Sequence, residues 1–281
     1  MAVSVVLDST VDIGADEARA LGVDVVPIWV VVGEQRLRDG IDIDRAALYR
    51  RIATVKELPK TEPATVEQFA GAFRERVEAG DDVVAMTVSS ALSGTYANAV
   101  EAARPFGDKV KVADSRSASL LFRLQALEAI AAAKAGGSQA DVIVAGDRTR
   151  LRGQAFFAVT DLSFLGRTGR LAKPLVALGS LMGVSLVLKV GDDGAIGLAG
   201  QSRGLDKALD VIVDSPLRAL GDDRPLKIVV AHANAPEAAI ALEARLRSKL
   251  RAPAEISIAE IGTTIAVNLG PGAVGICAIA S

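Results

Sequence analysis

Residues 83–103 have the sequence VVAMTVSSALSGTYANAVEAA, which gives a strand, a polar loop and an Ala-rich helix in immediate succession. The β-branched run 83–88 predicts the strand, and the run 93–103 predicts the helix. The same alternation surrounds this stretch. Strands are predicted over residues 3–7 and 110–113, an extended stretch interrupted by Pro27 over residues 23–32, and helices over residues 14–21, 65–77 and 117–135. Such alternation is typical of an α/β fold in which a mostly parallel sheet is layered with helices.

The helix predicted over residues 65–77 has clear signals for its start and for its buried face. Thr65 and Gln68 fit a capping box, in which each side chain accepts a hydrogen bond from the backbone N–H of the other residue. Its apolar residues recur three and four positions apart and therefore share one face, at Val66, Phe69, Phe73 and Val77.

The second half of the chain has a different order of elements. Strands are predicted over residues 156–159, 184–190, 195–199, 227–231, 255–258 and 274–280, and helices over residues 205–219 and 236–250. The segment Gly191-Asp192-Asp193-Gly194 predicts a hairpin turn. We therefore expect a second α/β domain with a mixed sheet. The charged stretch 147–152 predicts the boundary, which gives domains over residues 1–150 and 151–281.

Composition and charge exclude several classes of partner. The chain has 281 residues, and its 32 Lys and Arg against 34 Asp and Glu give a net charge of −2, so we expect no nucleic-acid partner. With one histidine, His232, and one cysteine, Cys277, the usual zinc ligand sets cannot be assembled. We expect no metal, no cofactor and no disulfide. The N-terminus lacks a secretory pattern, and no apolar run approaches the ~20 residues of a membrane span, which predicts a cytoplasmic protein.

Polar residues follow three of the strands predicted in the first half. They are Asp8-Ser9-Thr10, Ser89-Ser90 and Asp114-Ser115. In parallel α/β sheets, ligands bind in the crevice outside the carboxyl ends of the strands. The same residue types are also preferred in helix caps and turns, so each loop by itself equally fits a cap. Together the three loops predict a polar crevice.

The loop at residues 89–96 predicts an anion site. It joins a strand to a helix, so backbone N–H groups of the loop, Gly94 included, are expected to be free, and the positive end of the helix dipole faces the ligand. The hydroxyls of Ser93 and Thr95 add donors for a carboxylate. A serine hydrolase using Ser93 is the weaker alternative, because the G-x-S-x-G pattern is not met and His232 lies in the other predicted domain.

Two further motifs have limited meaning alone. Residues 270–275 match G-x-G-x-x-G, but the chain that follows is too short for a dinucleotide site, so we expect these glycines to permit a tight turn into the last strand. No G-x-x-x-x-G-K-[ST] loop is present, which disfavours a nucleotide-dependent kinase. Arg170 can pair with an anion or be a solvated surface arginine.

Taken together, several segments resemble the DegV family. Asp8-Ser9-Thr10-Val11-Asp12 is similar to the opening motif of that family, and Leu92-Ser93-Gly94-Thr95-Tyr96 to its LSGTY motif. Further matches follow in the expected order along almost the whole chain, at Pro59-Lys60-Thr61, Asp114-Ser115, Gly169-Arg170, Ser202-Arg203-Gly204 and Gly270-Pro271-Gly272-Ala273.

The resemblance implies two α/β domains around one long-chain fatty acid, with the head group in the interdomain crevice and the acyl chain in an apolar tunnel. It implies a non-catalytic protein that presents the carboxylate to a separate ATP-dependent fatty-acid kinase, which forms an acyl phosphate. By motif, the head-group ligands are Ser93, Thr61 and Arg170, with a histidine nearby. The candidate ligand-binding residues are therefore Thr61, Ser93, Gly94, Thr95, Arg170 and Asn268. Residues 155–159, 175–182 and 184–188 could form tunnel walls or plain core.

Two departures from the family pattern bear on function. Asn268 stands where the family has histidine, and an amide donates a hydrogen bond but carries no proton at neutral pH. Glu62 follows Thr61 and would place a negative charge beside the head group. Two alternatives therefore stay open. They are a lipid-sensing protein without a kinase partner and a lipid esterase or thioesterase that uses Ser93.

Overall fold

The computed structural model describes residues 2–55, 57–159, 161–171, 175, 177 and 184–280. The chain divides into two compact units. The first unit is Met1–Leu151 together with Gly262–Thr264, and the second is Arg152–Ile261 with Ile265–Ser281. The charged stretch 147–152, where the sequence predicts a boundary, forms the last turns of the helix Gln139–Arg152.

The first unit contains a parallel sheet and a small antiparallel sheet. Its strands are β1 (Val3–Asp8), β2 (Asp24–Val26), β3 (Trp29–Val32), β4 (Gln35–Arg38), β5 (Lys60–Glu62), β6 (Asp82–Thr87) and β7 (Val110–Asp114). Its helices are α1 (Ala15–Leu21), α2 (Arg45–Ile52), α3 (Val66–Glu78), α4 (Thr95–Ala103), α5 (Ser119–Lys134) and α6 (Gln139–Arg152). The first of these sheets is parallel, as the sequence predicts, and has the order β2-β1-β6-β7, whereas β4-β3-β5 is antiparallel.

The extended stretch predicted over residues 23–32 is interrupted at Pro27, as expected, and its second half joins the antiparallel sheet. Pro27 lies between β2 and β3, which join different sheets. Proline has no N–H to donate to a sheet ladder, so the chain leaves the parallel sheet at this residue.

Helices cover both faces of the parallel sheet. On β1, Val5 and Leu7 pack with Phe122 of α5. Val6, which points to the opposite face, packs with Phe69 and Phe73 of α3. This alternation follows from the period of two in a strand, and it leaves the strand ends as the accessible edge of the sheet.

The predicted capping box at the start of α3 is confirmed. Gln68 N–H donates to Thr65 Oγ1 at 3.3 Å, and Thr65 N–H donates to Gln68 Oε1 at 2.8 Å. The Gln68 side chain also accepts from Trp29 Nε1 at 2.9 Å and donates to Pro27 O at 3.0 Å. One side chain therefore both starts α3 and ties it to the chain between β2 and β3.

The second unit contains one mixed sheet, as predicted. Its strands are β8 (Gly153–Ala158), β9 (Val184–Val190), β10 (Ile196–Arg203), β11 (Leu226–His232), β12 (Ala254–Glu260) and β13 (Val274–Ala280). The order is β10-β9-β8-β13-β11-β12, in which β11 and β12 are parallel and the other neighbours antiparallel. Its helices are α7 (Ser163–Arg167), α8 (Gly204–Leu220), α9 (Pro236–Lys249) and most of α10 (Thr263–Leu269).

The two faces of this sheet carry different sets of buried side chains. One face packs against α8 and α9 in a cluster that includes Phe156, Val187, Ile212, Leu242 and Ile276. Strand pairing puts Phe157, Leu186, Leu188, Val229 and Cys277 on the opposite face. The expected tunnel-wall stretches 155–159 and 184–188 thus supply both faces. Of the stretch 175–182, only residues 175 and 177 lie within the described residues.

No helix in the described ranges is both long and apolar enough to span a membrane.

The glycines at residues 270–275 form the tight turn that the sequence predicts. Gly270 has φ of 76° and Gly272 has φ of 87°, which are values that side-chain-bearing residues rarely adopt. Gly275 lies inside β13 for a different reason. A Cβ at this position would lie 2.6 Å from Phe156 O and 2.7 Å from Phe157 Cβ, so only glycine fits between the paired strands.

We expect Gly275→Ala to lower the free energy of unfolding by about 1–3 kcal/mol, because the added methyl overpacks a tight strand pair. Urea denaturation measures this change. Gly197→Ala in β10 is the matched control, since a Cβ there meets no atom within 4 Å. Equal midpoints for the two variants would contradict the tight approach at Gly275.

Candidate ligand-binding site

The three polar strand ends predicted from the sequence come together in the first unit. Strand β6 lies between β1 and β7, and all three strands are parallel. The Val88 N–H, just beyond β6, donates to Asp8 Oδ2 at 2.6 Å. On the other side, Ser90 Oγ donates to Asp114 Oδ2 at 2.6 Å. Carboxylates from both neighbouring strands therefore fix the loop that follows β6.

Asp8 is the more deeply buried of these two carboxylates. Its side chain is 0% exposed, and its Oδ1 accepts from Thr10 N–H at 2.9 Å and from Thr10 Oγ1 at 2.5 Å. Burial raises the pKa of Asp8 to about 6, against the opposing effect of the hydrogen bonds from Thr10 and Val88. The donors make the buried carboxyl tolerable without removing the cost of ionising it.

The loop at residues 89–95 uses backbone N–H groups that were expected to be free. Ser93 N–H donates to Ser89 O at 3.1 Å, and Leu92 N–H donates to the same oxygen at 3.0 Å. Thr95 N–H donates to Ser93 Oγ at 3.2 Å. The expectation of free N–H groups at Ser93 and Thr95 is thus wrong, because the loop closes a turn on itself before α4 begins. Of the remaining donors at these two residues, the Ser93 hydroxyl is the one that a ligand can reach, because Thr95 is fully buried.

The hydroxyls of Ser93 and Thr95 form a pair. Their oxygens are 2.9 Å apart, Ser93 is half-buried and Thr95 is 0% exposed. In the described part of the chain, the Ser93 hydroxyl is hydrogen-bonded to Thr95 alone. Neither the hydroxyl nor the backbone N–H of Thr95 is a base that could activate Ser93 as a nucleophile. His232, in the second unit, accepts from Ala235 N–H through Nδ1 at 3.3 Å.

Thr61 and the Ser93 loop lie on adjoining segments of the first unit. Thr61 is in β5 and pairs with Val30, which is fully buried. Two residues beyond Thr61, Pro63 Cγ lies 3.4 Å from where a Cβ on Gly94 would be. Gly94 itself is exposed. The structure therefore brings three of the predicted residues, Thr61, Ser93 and Gly94, into one region.

Glu62 does not share the face of Thr61, because successive side chains of a strand point to opposite faces. Its carboxylate accepts from Arg36 Nε at 2.8 Å, and the Arg36 guanidinium lies 4.5 Å from the centre of the Trp29 ring. The negative charge expected beside the head group is balanced by this arginine on the other face.

Arg170 and Asn268, the candidates in the second unit, are hydrogen-bonded to each other. Arg170 Nη1 donates to Asn268 Oδ1 at 2.8 Å, and Asn268 is 7% exposed. Burial lowers the pKa of Arg170 from its ordinary value. A guanidinium keeps its proton at neutral pH despite such a shift, so this is a poorly solvated cation with a neutral partner.

A second acidic group in the first unit was not singled out as a site from the sequence. Asp39 Oδ2 accepts from Ser9 Oγ at 2.8 Å and from Thr264 Oγ1 at 2.6 Å. Asp12 Oδ2 accepts from Ser119 Oγ at 2.6 Å. The other carboxylate oxygen of Asp12, Oδ1, is buried so close to Gly262 that a Cβ added to this glycine would lie only 2.1 Å from it. These carboxylates thus surround the segment Gly262–Thr264.

Burial is the main cause of the pKa shifts in this group. It raises the pKa of Asp12 to about 7, against the opposing effect of the Ser119 hydrogen bond. It also raises the pKa of Asp39, against the hydrogen bonds from Thr264 and Ser9. Among the described residues, no three His, Cys, Asp or Glu side chains are arranged to hold a metal ion. Each of these two buried carboxyls accepts a hydrogen bond from at least one serine or threonine hydroxyl.

One groove in the first unit is separate from the Ser93 loop. Its volume is about 1070 Å³, and it is lined by residues of α1, β2 and α3 and by Asp12, Asp39 and Gly262. Neither Ser93 nor Thr61 is among the residues that line it.

The fold and these contacts define an α/β protein in two units, with a candidate anion-binding loop at the strand ends of its parallel sheet. A family profile described as "Uncharacterised protein, DegV family" matches residues 2–281. The chain therefore belongs to the DegV family.

Relatives and solved structures match over their whole length. A DegV domain-containing protein from Mycobacterium tuberculosis is 34% identical over 279 residues, which are 99% of this chain and 97% of the relative. The structure of a fatty-acid-binding DegV family protein from Thermus thermophilus has a TM-score of 0.90 and 31% identity, with 100% of both chains covered. The structure of a stearic-acid-binding protein from Eubacterium ventriosum has a TM-score of 0.87 and 28% identity, and the match covers 99% of this chain and 98% of that protein.

The buried carboxyls predict how stability depends on pH. The folded pKa values of Asp8 and Asp12, about 6 and about 7, lie above the ordinary value of 3.8, so the folded state holds more protons than the unfolded state between these limits. The free energy of unfolding should therefore fall as pH rises from about 4 to 7, by about 1.4 kcal/mol for each unit of pKa difference.

Asp12→Asn should flatten this dependence, because asparagine tolerates the φ of 58° at this position and can still accept from Ser119 but does not titrate. Glu128→Gln on the exposed face of α5 is the control and should leave the profile unchanged. Urea unfolding at half-unit steps of pH measures both. A profile that keeps the parent slope in Asp12→Asn would refute the assignment.

Proposed function

We propose that this protein binds one long-chain fatty acid and holds its carboxylate with the hydroxyl of Ser93. The observation that carries the proposal is the state of this hydroxyl, which is half-buried at the strand-end edge and hydrogen-bonded only to its neutral neighbour Thr95 among the described residues. A hydroxyl in this position can donate to a carboxylate, and with no base in contact it is a ligand and not a nucleophile. The likeness to fatty-acid-binding structures over the whole chain supports the same ligand.

We assign supporting roles to the other candidate residues, unit by unit. In the first unit, Thr61 offers a second hydroxyl near the Ser93 loop, and Gly94 leaves the backbone open to a ligand. In the second unit, Arg170 is an anion partner whose low solvation strengthens its attraction for a carboxylate. Asn268 orients this guanidinium by accepting from it.

We place the acyl chain against an apolar face of the second sheet. The face of the second sheet opposite α8 and α9 offers Phe157, Leu186, Leu188, Val229 and Cys277. Burying about 15 methylenes at ~0.8 kcal/mol each contributes roughly 12 kcal/mol before the entropic costs of binding. The tail therefore supplies most of the affinity, and the head-group contacts supply orientation.

The first prediction from this proposal concerns Ser93→Ala. We expect the protein to take up stearic acid at one molecule per chain, and the variant to bind it roughly 10- to 100-fold more weakly, because a hydrogen bond to a charged group contributes about 1.5–3 kcal/mol. Native mass spectrometry gives the stoichiometry, and calorimetric titration of the delipidated protein gives the affinity.

Ser257→Ala is the control, since Ser257 is an exposed serine in β12. Unchanged stearic acid affinity in Ser93→Ala would remove Ser93 from the site. A parent protein that takes up no fatty acid would refute the proposed function.

We further propose that a separate ATP-dependent kinase phosphorylates the bound acid. In this step a carboxylate oxygen attacks the γ-phosphorus of ATP, the bond to the β–γ bridging oxygen breaks, and ADP leaves as the acyl phosphate forms. The exposure of Ser90, Ala91 and Gly94 around Ser93 supports the proposal, because a carboxylate held there lies within reach of a partner enzyme.

The kinase step predicts formation of a trappable product. Stearate-loaded protein, ATP and a cell extract of the source organism should together yield stearoyl hydroxamate when hydroxylamine is added, because hydroxylamine intercepts acyl phosphates. Mass spectrometry detects the product, and leaving out each component in turn is the control. A loaded protein that gives no hydroxamate above the extract alone would favour a lipid-sensing role instead.

A further inference from the structure

Thr95 cannot itself reach a ligand, although it lies in the candidate loop. It is 0% exposed and is the first residue of α4. In the described part of the chain, its hydroxyl has one hydrogen-bond partner, Ser93 Oγ at 2.9 Å. A buried hydroxyl is normally satisfied by a partner, so the pair is a structural requirement of the loop. Any effect of the Thr95 hydroxyl on a ligand has to pass through Ser93.

The direction of the hydrogen bond in this pair decides what Ser93 can offer to a ligand. A serine hydroxyl has two acceptor lone pairs and one proton, and Thr95 N–H already fills one lone pair of Ser93 Oγ at 3.2 Å. If Thr95 Oγ1–H donates, the second lone pair is filled and the Ser93 proton points away from Thr95. If Ser93 donates to Thr95, the serine keeps only a lone pair for the ligand.

An ionised carboxylate accepts hydrogen bonds and donates none, so it binds only the first arrangement. An alcohol can donate and therefore binds either arrangement. Within the function proposed above, we infer that Thr95 is a positioning residue that donates to Ser93 and thereby commits the Ser93 proton to the ligand carboxylate. Two donors to one oxygen also polarise its O–H bond, which strengthens the hydrogen bond that Ser93 gives.

This role predicts a dependence on Ser93 that simple packing does not. Thr95→Val, which keeps the shape and removes the hydroxyl, should weaken stearic acid binding about three- to tenfold. The same substitution in a Ser93→Ala background should change affinity less than about twofold, because the group through which Thr95 acts is absent. Thr95→Ser, which restores the donor, should return affinity to within about twofold of the parent.

A second readout uses ligand chemistry. Stearyl alcohol has the same chain and a head group that can donate, so Thr95→Val should lose affinity for stearic acid and not for the alcohol. Displacement of a fluorescent fatty acid from delipidated protein measures both ligands on the parent and on the four variants. Circular dichroism checks the fold of each variant, and Thr95→Ala provides a second hydroxyl-free variant if the valine does not fold.

Each outcome separates the inference from the proposed function. Equal losses from Thr95→Val with and without Ser93, or equal losses for acid and alcohol, would overturn the positioning role and leave fatty-acid binding in place. Failure of Thr95→Ser to restore affinity would also overturn it. A parent that binds neither ligand would overturn both. Coupled losses confined to the acid would establish the donor relay from Thr95 to Ser93.

Discussion

The hydrogen bond from Val88 N–H to the buried Asp8 carboxylate is the contact on which the strand-end region depends. Asp8 ends β1, and Val88 begins the loop after β6, so the bond joins the neighbouring strands at the point where regular pairing ends. A buried acceptor without its donor costs free energy, and this couples the loop geometry to the integrity of the sheet. The placement of Ser93, a few residues further on, therefore depends on a buried acid that is not among the candidate ligand-binding residues.

Much of this arrangement could be predicted from local sequence. The alternation of β-branched and Ala-rich runs gave the parallel sheet, and polar residues at three strand ends indicated one edge. Thr65 and Gln68 gave the start of α3 because capping acts over three residues. Whole-chain motifs of the DegV family then indicated the ligand class, which periodicity alone does not carry.

The rest depends on contacts that no local pattern encodes. Asp39 and Thr264 are 225 positions apart, and Arg170 and Asn268 are 98 apart, so neither pair leaves a signal at helical or strand spacing. The interruption at Pro27 could be predicted, but the small antiparallel sheet could not, because β3 pairs with β5 across the intervening helix α2. The expectation that backbone N–H groups near Ser93 would be free was wrong for a related reason. A turn can satisfy its own donors, and sequence does not show whether it does.

The discontinuity of the first unit has a consequence for how the chain is made. In the segment Gly262–Thr264, the hydroxyl of Thr264 donates a hydrogen bond to Asp39, and Gly262 leaves room for the Asp12 side chain. A ribosome adds this segment only after it has translated residues 152–261 of the second unit. Until then the nascent N-terminal half holds two buried carboxyls without their final surroundings. The first unit is therefore completed only after most of the second has been made, and it cannot be excised as residues 1–151 without losing part of its own interior.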